Sequence, residues 1–186
     1  LLKARHLDGA QAARLAQLSV EDGQLSAEQV ERLLPRLAPA ARGELLAVLA
    51  ARGRCAEVLQ LSGGQPVSAA EWRARGQCHL QEQPGVAVEE LRQGQALGDR
   101  PSAELLPFAL AAAGEPEAAL LLWQQTPVAQ QSAAVRRAVV GAELAVGRVE
   151  QAEQHWQALP PSSVDDWRQG GHLAVARQDY PEAVQR

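Results

Sequence analysis

GEPEAALLLWQQTP, from Gly114 to Pro127, occurs a second time in altered form as GRVEQAEQHWQALP, from Gly147 to Pro160. The two copies lie 33 residues apart and share a Gly, a Glu, an Ala, a Trp, a Gln and a Pro at matching positions. Self-similarity at this spacing is the sequence signature of a repeat architecture built from small supersecondary units.

The composition favours helices. Hydrophobic residues make up 46% of the 186 residues, aromatic residues only 3%, and alanine and leucine dominate the apolar set. Alanine and leucine lose little side-chain freedom in a helix, whereas runs of Ile, Tyr, Phe and Thr that favour strands are absent from the sequence. We therefore predict an all-α fold.

Short breaks with Gly, Pro, Ser or Asp separate the helix-like segments. Connections this short make neighbouring helices antiparallel, so the predicted unit is a helical hairpin. About a dozen helices follow from this spacing. The predicted breaks lie at residues 19–24, 35–39, 53, 62–66, 84–85, 99–101, 114, 127, 147, 160–163 and 179.

Parts of the tetratricopeptide pattern recur on these helices. WRARGQCH (Trp72–His79) and WRQGGHLA (Trp167–Ala174) match its first half, W-x2-L-G-x2-Y, in the Trp and the Gly. The second half, A-x3-F, is matched by Ala119 with Trp123 and by Ala152 with Trp156, and Tyr180 with Ala183 opens a further copy. The chain thus resembles tetratricopeptide-like repeats, and the resemblance implies an α-solenoid of antiparallel hairpins wound into a superhelix.

This interpretation assigns packing roles to the conspicuous residues. We expect Gly114 and Gly147 to end helices in a left-handed conformation. Residues 1–66 would form degenerate hairpins, and residues 67–186 regular repeats (about 67–100, 101–128, 129–161 and a truncated 162–186) in one continuous array. The expected repeat-packing residues are Trp72, Gly76, Ala119, Trp123, Ala152, Trp156, Trp167 and Gly171.

The charge and hydropathy of the sequence limit the kinds of partner that we expect. The formal net charge is −4, whereas proteins that bind nucleic acid usually carry a basic surface, so we expect no nucleic-acid partner. The longest apolar run, Leu105–Ala113, is nine residues and contains a proline, which is too short for a membrane span. Because the chain begins at Leu1, lacks Met and stops at Arg186 within a helical pattern, we expect it to be part of a longer protein.

The sequence offers no constellation for catalysis. Its four histidines are too scattered to form a zinc-binding pair on one helix. Nucleophile-elbow, phosphate-loop and dinucleotide-binding motifs are absent from the sequence. We therefore predict a protein that is not an enzyme, with no catalytic, cofactor-binding or metal-binding residues.

The two cysteines can be interpreted in two ways. Cys55 falls at the start of a predicted second helix, and Cys78 near the end of the following first helix. Such ends lie side by side in an array of hairpins, within the Cα separation that a disulfide requires. The alternative is two buried free thiols in a reducing cytosol. We favour the disulfide, which would indicate an oxidising compartment such as a periplasm.

A row of basic residues is the candidate binding surface. In the repeat register, the residue after the first tryptophan faces a groove lined by the first helices, and arginine there can hold anionic groups by paired hydrogen bonds. The alternative is that these are ordinary solvated arginines. The candidate groove-binding residues are Arg73, Gln77, Arg137, Arg168 and His172.

A more specific resemblance rests on CAEVL (Cys55–Leu59), the Trp72-x3-Gly76-x-Cys78 helix with its Pro-Gly turn, and the GEPEAALLLW hairpin. This combination is similar to the periplasmic repeat region of NfrA-type phage-adsorption proteins. The resemblance implies an outer-membrane protein linked to export of a surface polysaccharide and used as a phage receptor.

Two functions of different class follow. The first is a non-catalytic periplasmic scaffold, whose groove holds a protein partner subunit or guides an anionic polysaccharide. The second is a cytosolic tetratricopeptide adaptor that binds acidic peptide tails. A spacer without a ligand is a third interpretation, and the redox state of Cys55 and Cys78 discriminates between the first two.

Overall fold

The fold comes from a computed structural model, which describes Arg14 and residues 26–126, 132–159 and 164–177. All regular elements within these ranges are helical, which confirms the all-α class. A 3₁₀ turn, Leu34–Arg36, follows the first helix. The helices are α1 (Ala27–Leu33), α2 (Pro39–Ala51), α3 (Cys55–Leu61), α4 (Ala69–His79), α5 (Pro84–Ala96), α6 (Arg100–Ala112), α7 (Pro116–Gln125), α8 (Ala133–Ala145), α9 (Val149–Gln157) and α10 (Val164–Ala176).

Most helix starts are encoded locally. Ser68 and Ser132 cap α4 and α8, because their side chains accept the amide of the third helical residue. Helices α2, α5 and α7 instead begin with proline, which has no amide hydrogen to leave unpaired. The predicted breaks at 84–85 and 99–101 therefore need correction, since Pro84 and Arg100 already begin helices.

Four helices end in the same glycine turn. Gly53, Gly98, Gly114 and Gly147 have φ between 73° and 86°. In each turn, the amide of the residue after the glycine donates to the carbonyl five residues earlier, at 2.8–3.0 Å, and the next helix starts one residue later. This is the Schellman arrangement, and it confirms the left-handed conformation predicted for Gly114 and Gly147. The breaks predicted at 19–24, 127, 160–163 and 179, and the copy at Tyr180 and Ala183, lie outside the described residues.

One hairpin geometry recurs along the chain. In the hairpins α2–α3, α6–α7 and α8–α9, a first helix of 13 residues leads through the glycine turn into the second helix. Five residues after the glycine, each second helix carries a fully buried side chain, namely Val58, Ala119 and Ala152. Hairpin α4–α5 uses a different link, residues 80–83, but its second helix also carries a fully buried alanine, Ala87.

The chain divides into two compact units, Leu1–Ala103 and Glu104–Arg186. Val30, Leu45, Leu49 and Val58 belong to the core of the first unit. In the second, Val140, Ala152 and Leu173 form a cluster with Leu144 and Trp156 against it. The predicted division between degenerate hairpins up to residue 66 and regular repeats after it stays a prediction. The solenoid arrangement of the hairpins also stays a prediction.

The expected packing residues lie on these helices. Ala119 and Ala152 are fully buried, and Trp72, Trp123, Trp156 and Gly171 are half-buried. A Cβ added at Gly76 would lie 2.7 Å from Leu91 Cγ, so α4 and α5 approach closely where a glycine was expected to permit it. The side chain of Trp167 is outside the described part of the structure. None of the described helices is long and apolar enough to cross a membrane.

Candidate functional site

A disulfide joins the first residue of α3 to the end of α4. Cys55 and Cys78 are bonded to each other, with their Cα atoms 5.1 Å apart, as predicted. Both residues are half-buried, and the chain has no other cysteine. The bond therefore ties α3 to α4, and it removes both thiols from the groups that could bind a metal or act as a nucleophile.

A charged cluster adjoins the disulfide. Glu90 on α5 is 4% exposed, and its carboxylate accepts from Arg75 Nε at 2.7 Å. His79 Nδ1 lies 2.7 Å from the other carboxylate oxygen, within hydrogen-bond distance. Arg75 also donates to the Gly64 carbonyl, and its guanidinium lies 5.9 Å from the centre of the Trp72 ring. The buried carboxylate thus has a permanent positive charge beside it.

Arg73 lies inside the first unit rather than in an open groove. It is 9% exposed, and it donates to Glu44 at 2.8 Å and to Asp99 at 3.2 Å. Asp99 also accepts from the amide and the hydroxyl of Ser102, which fixes the start of α6. The position of Arg73 differs from the expected groove position, because its guanidinium already donates to two carboxylates. Gln77, one turn further along α4, is half-buried.

Two more ion pairs stabilise the first unit. Glu71 is 1% exposed and accepts from Arg42 at 3.2 Å and from the Val67 amide at 3.1 Å, so it joins α2 to the start of α4. Arg54, in the α2–α3 turn, binds both carboxylate oxygens of Glu57 at 2.7 and 2.6 Å. The hydrogen bond to Glu57 raises the pKa of the Arg54 guanidinium above its ordinary value. These contacts maintain the hairpins.

The second unit contains another buried carboxylate with an imidazole. Glu143 on α8 is 4% exposed, and His155 Nδ1 on α9 lies 2.9 and 3.0 Å from its two oxygens. The rings of Trp123 on α7 and His155 contact each other edge to face. Their centroids are 5.8 Å apart and their planes lie at 78°. The imidazole side chain remains 37% exposed.

Three of the predicted groove residues lie on two adjoining helices of the second unit. Gln169 on α10 donates to the backbone carbonyl of Arg137 on α8 at 2.9 Å. Arg168 and His172 flank Gln169 on α10 and are exposed, and the side chain of Arg137 is half-buried. We call Arg137, Arg168, Gln169 and His172 the α8–α10 surface. Its chemistry suits an anionic ligand, because arginine donates paired hydrogen bonds to carboxylate and phosphate groups.

Sequence reasoning missed both Glu–His pairs. The sequence did contain a signal for these pairs. In each hairpin a glutamate occupies a helix position where periodicity predicts an apolar residue, and a histidine lies on the other helix of the same hairpin. No group of three or more His, Cys, Asp and Glu side chains within the described ranges could hold a metal ion.

The sequence matches no protein-family model, and no curated protein and no solved structure is similar to it at a significant level. The resemblances to tetratricopeptide-like repeats and to NfrA-type proteins therefore rest on the residues quoted above. Function has to be argued from the geometry of this chain.

Proposed function

We propose that the chain is a non-catalytic binding scaffold, the periplasmic repeat domain of an outer-membrane protein of the polysaccharide-export or phage-receptor kind. The observation that carries the proposal is the recurrence of one hairpin geometry, with the same glycine turn and the same buried position. A repeated hairpin cannot bury its apolar face alone, and stacked hairpins present an extended surface for a partner.

The disulfide supports the proposed periplasmic location. Disulfides persist in secreted and periplasmic proteins and are rare in a reducing cytosol. The Cys55–Cys78 bond therefore favours the periplasmic scaffold over the cytosolic adaptor. Labelling with iodoacetamide before and after reduction tests this in protein isolated from its native compartment. Two thiols that react without reductant would contradict the proposed location.

The α8–α10 surface is the proposed binding site. Arg137 lies there on α8, Arg168 and His172 lie on the adjoining α10, and the side chains of Arg168 and His172 are exposed. An anionic polysaccharide or an acidic face of a partner subunit would meet an arginine from each helix. Such binding would weaken as salt rises, because both arginines lie near the solvent.

Titration calorimetry with polygalacturonate, against neutral dextran, tests the site. We expect Arg137→Glu with Arg168→Glu to weaken polygalacturonate binding about tenfold or more, since two attractive charges become repulsive. Arg148→Glu is the matched control, because Arg148 is exposed in the α8–α9 turn of the same unit. Unchanged affinity in the double variant, or an equal loss in the control, would remove the site. Tighter binding of a hexa-aspartate peptide than of polygalacturonate would favour the adaptor.

A further inference from the structure

Helix α3 is the shortest of the four second helices. It has seven residues, whereas α5, α7 and α9 have 13, 10 and 9. Val58 is its one buried residue, and this side chain belongs to the core of the first unit. A helix of seven residues has little stability of its own in water, so the docking of α3 depends on the contacts that fix it to its neighbours.

Contacts at both ends fix α3 in place. At its first residue, Cys55 is bonded to Cys78 of α4. At its last residue, the Leu61 carbonyl accepts from Arg42 of α2 at 3.1 Å, and Arg42 also donates to Glu71 of α4. The disulfide is the one of these contacts that a redox reaction breaks.

Glycines with positive φ border α3 on each side. Gly53 lies two residues before the helix with φ 73°, and Gly64 lies three residues after it with φ 99°. An added Cβ would meet no atom within 4 Å at either glycine, so there is space around both positions. The Gly64 carbonyl accepts from Arg75 of α4, which anchors that border. Because glycine adopts many backbone conformations, the segment between the two borders can change its path once Cys78 no longer holds Cys55.

The contacts between the other helices of the first unit do not involve α3. Arg73 of α4 donates to Glu44 of α2 and to Asp99 before α6. Arg75 donates to Glu90 of α5. These contacts are independent of the disulfide, so its opening should release α3 locally before the rest of the unit unfolds.

The bond is open to thiol–disulfide exchange, because solvent reaches part of both half-buried cysteines. When the bond forms, the two thiols lose two protons and pass two electrons to a disulfide of the oxidant, which leaves as two thiols. A dithiol reductant reverses the step with the same balance.

We propose that the Cys55–Cys78 bond is a redox-sensitive latch that docks α3 on α4. In the oxidised chain, the bond holds Val58 in the core cluster that also contains Ala74. In the reduced chain, α3 leaves α4 more often and uncovers this part of the cluster, while α2, α4 and α5 stay packed. The consequence for the cell rests on the proposed periplasmic location, since the first unit is then completed where the chain meets an oxidant.

Hydrogen exchange read by mass spectrometry, on the full chain with and without dithiothreitol at one pH, tests the latch. In the oxidised chain, α3 should open no more often than α2 and α4. In the reduced chain, it should open about tenfold or more often than they do, as a locally opening segment does. Helix α9 is the matched control, because it also buries one residue, Ala152, and has no cysteine, so reduction should not change its exchange.

Two results would overturn the proposal. One is an α3 that opens as often after reduction as before. The other is an α3 that only keeps pace with α2 and α4 in the reduced chain, because the disulfide would then stabilise the unit as a whole.

Cysteine variants separate the bond from the reductant. Cys55→Ser with Cys78→Ser should show the excess opening of α3 whether or not dithiothreitol is present. If the serine variant does not fold, Cys55→Ala with Cys78→Ala should show the same excess, and a folded variant without it would contradict the latch. The proposed location fails separately, since thiols that react in protein from its native compartment contradict the periplasm and leave the exchange result of the purified chain unchanged.

Discussion

Hairpins α4–α5 and α8–α9 each contain a buried glutamate bonded to histidine Nδ1, and they differ in what surrounds it. In α4–α5, Arg75 donates to Glu90 and places a permanent positive charge beside its carboxylate. Cys78 of the disulfide directly precedes His79. In α8–α9, Glu143 contacts the imidazole of His155, and that ring also contacts Trp123. Glu90 thus accepts from a permanent cation and also contacts an imidazole, whereas among the described side chains Glu143 contacts the imidazole alone.

The difference shows how hairpins of one backbone geometry can carry different contacts. The backbone geometry is kept, and a change at two positions replaces an apolar contact by a charged one. In α4–α5 a neighbouring arginine adds a second, permanently charged donor to the carboxylate.

Removal of the disulfide is the largest expected change. Cys55→Ser with Cys78→Ser should lower the free energy of unfolding of the first unit by about 3 kcal/mol, because the bond closes a loop of 23 residues. Both cysteines lie in that unit, so protection of α8–α9 amides should not change. Urea denaturation followed by hydrogen exchange measures both, and reduction of the natural chain should reproduce the loss. An equal loss of stability in the second unit would show that its stability depends on that of the first unit.

Loss of the permanent cation should make the first hairpin resemble the second. Arg75→Met keeps an apolar stem near Trp72 but leaves Glu90 with His79 alone. We expect a loss of about 2 kcal/mol, less than for a fully buried pair because Arg75 is partly exposed. Urea denaturation of the variant and of the natural chain at one pH measures the loss. A variant as stable as the natural chain would contradict the role given to Arg75.

Removal of the imidazole should affect the two pairs unequally. His155→Ala leaves a buried carboxylate without its donor and should destabilise the second unit by about 1.5 kcal/mol. His79→Ala should cost less, because Arg75 still donates to Glu90. Chemical denaturation of both variants at pH 6 gives the comparison. The opposite order would contradict the role given to Arg75.

The smallest expected effect separates a glycine that needs a positive φ from one that does not. Gly147→Ala should destabilise α8–α9 by about 1 kcal/mol through backbone strain alone, since φ is +77° and no atom lies within 4 Å of an added Cβ. Gly85→Ala in α5 also meets no atom, but needs no left-handed conformation, so it should be neutral or slightly stabilising. Thermal denaturation compares the two, and equal melting temperatures would argue against the strain.

The sequence determined the helices and their turns. The composition predicted helices, and every regular element of the described residues is helical. The glycines at 53, 114 and 147 marked helix ends because few other residues adopt positive φ. The sequence could not separate loop from helix at Pro84 and Arg100, since proline suits both a turn and the first helical position. The disulfide was predictable because each cysteine could be placed at a helix end.

The tertiary structure alone decided which charged side chains meet. Arg73 lies on a predicted helix, but only the packing of α2 and of the residues before α6 shows that Glu44 and Asp99 cover it. The Glu–His pairs form between helices, and Arg75 reaches one of them across the hairpin. Helix periodicity is a local property that a sequence states directly. The partner of a buried charge depends on distances between segments far apart in the chain, and those are fixed only when the hairpins pack.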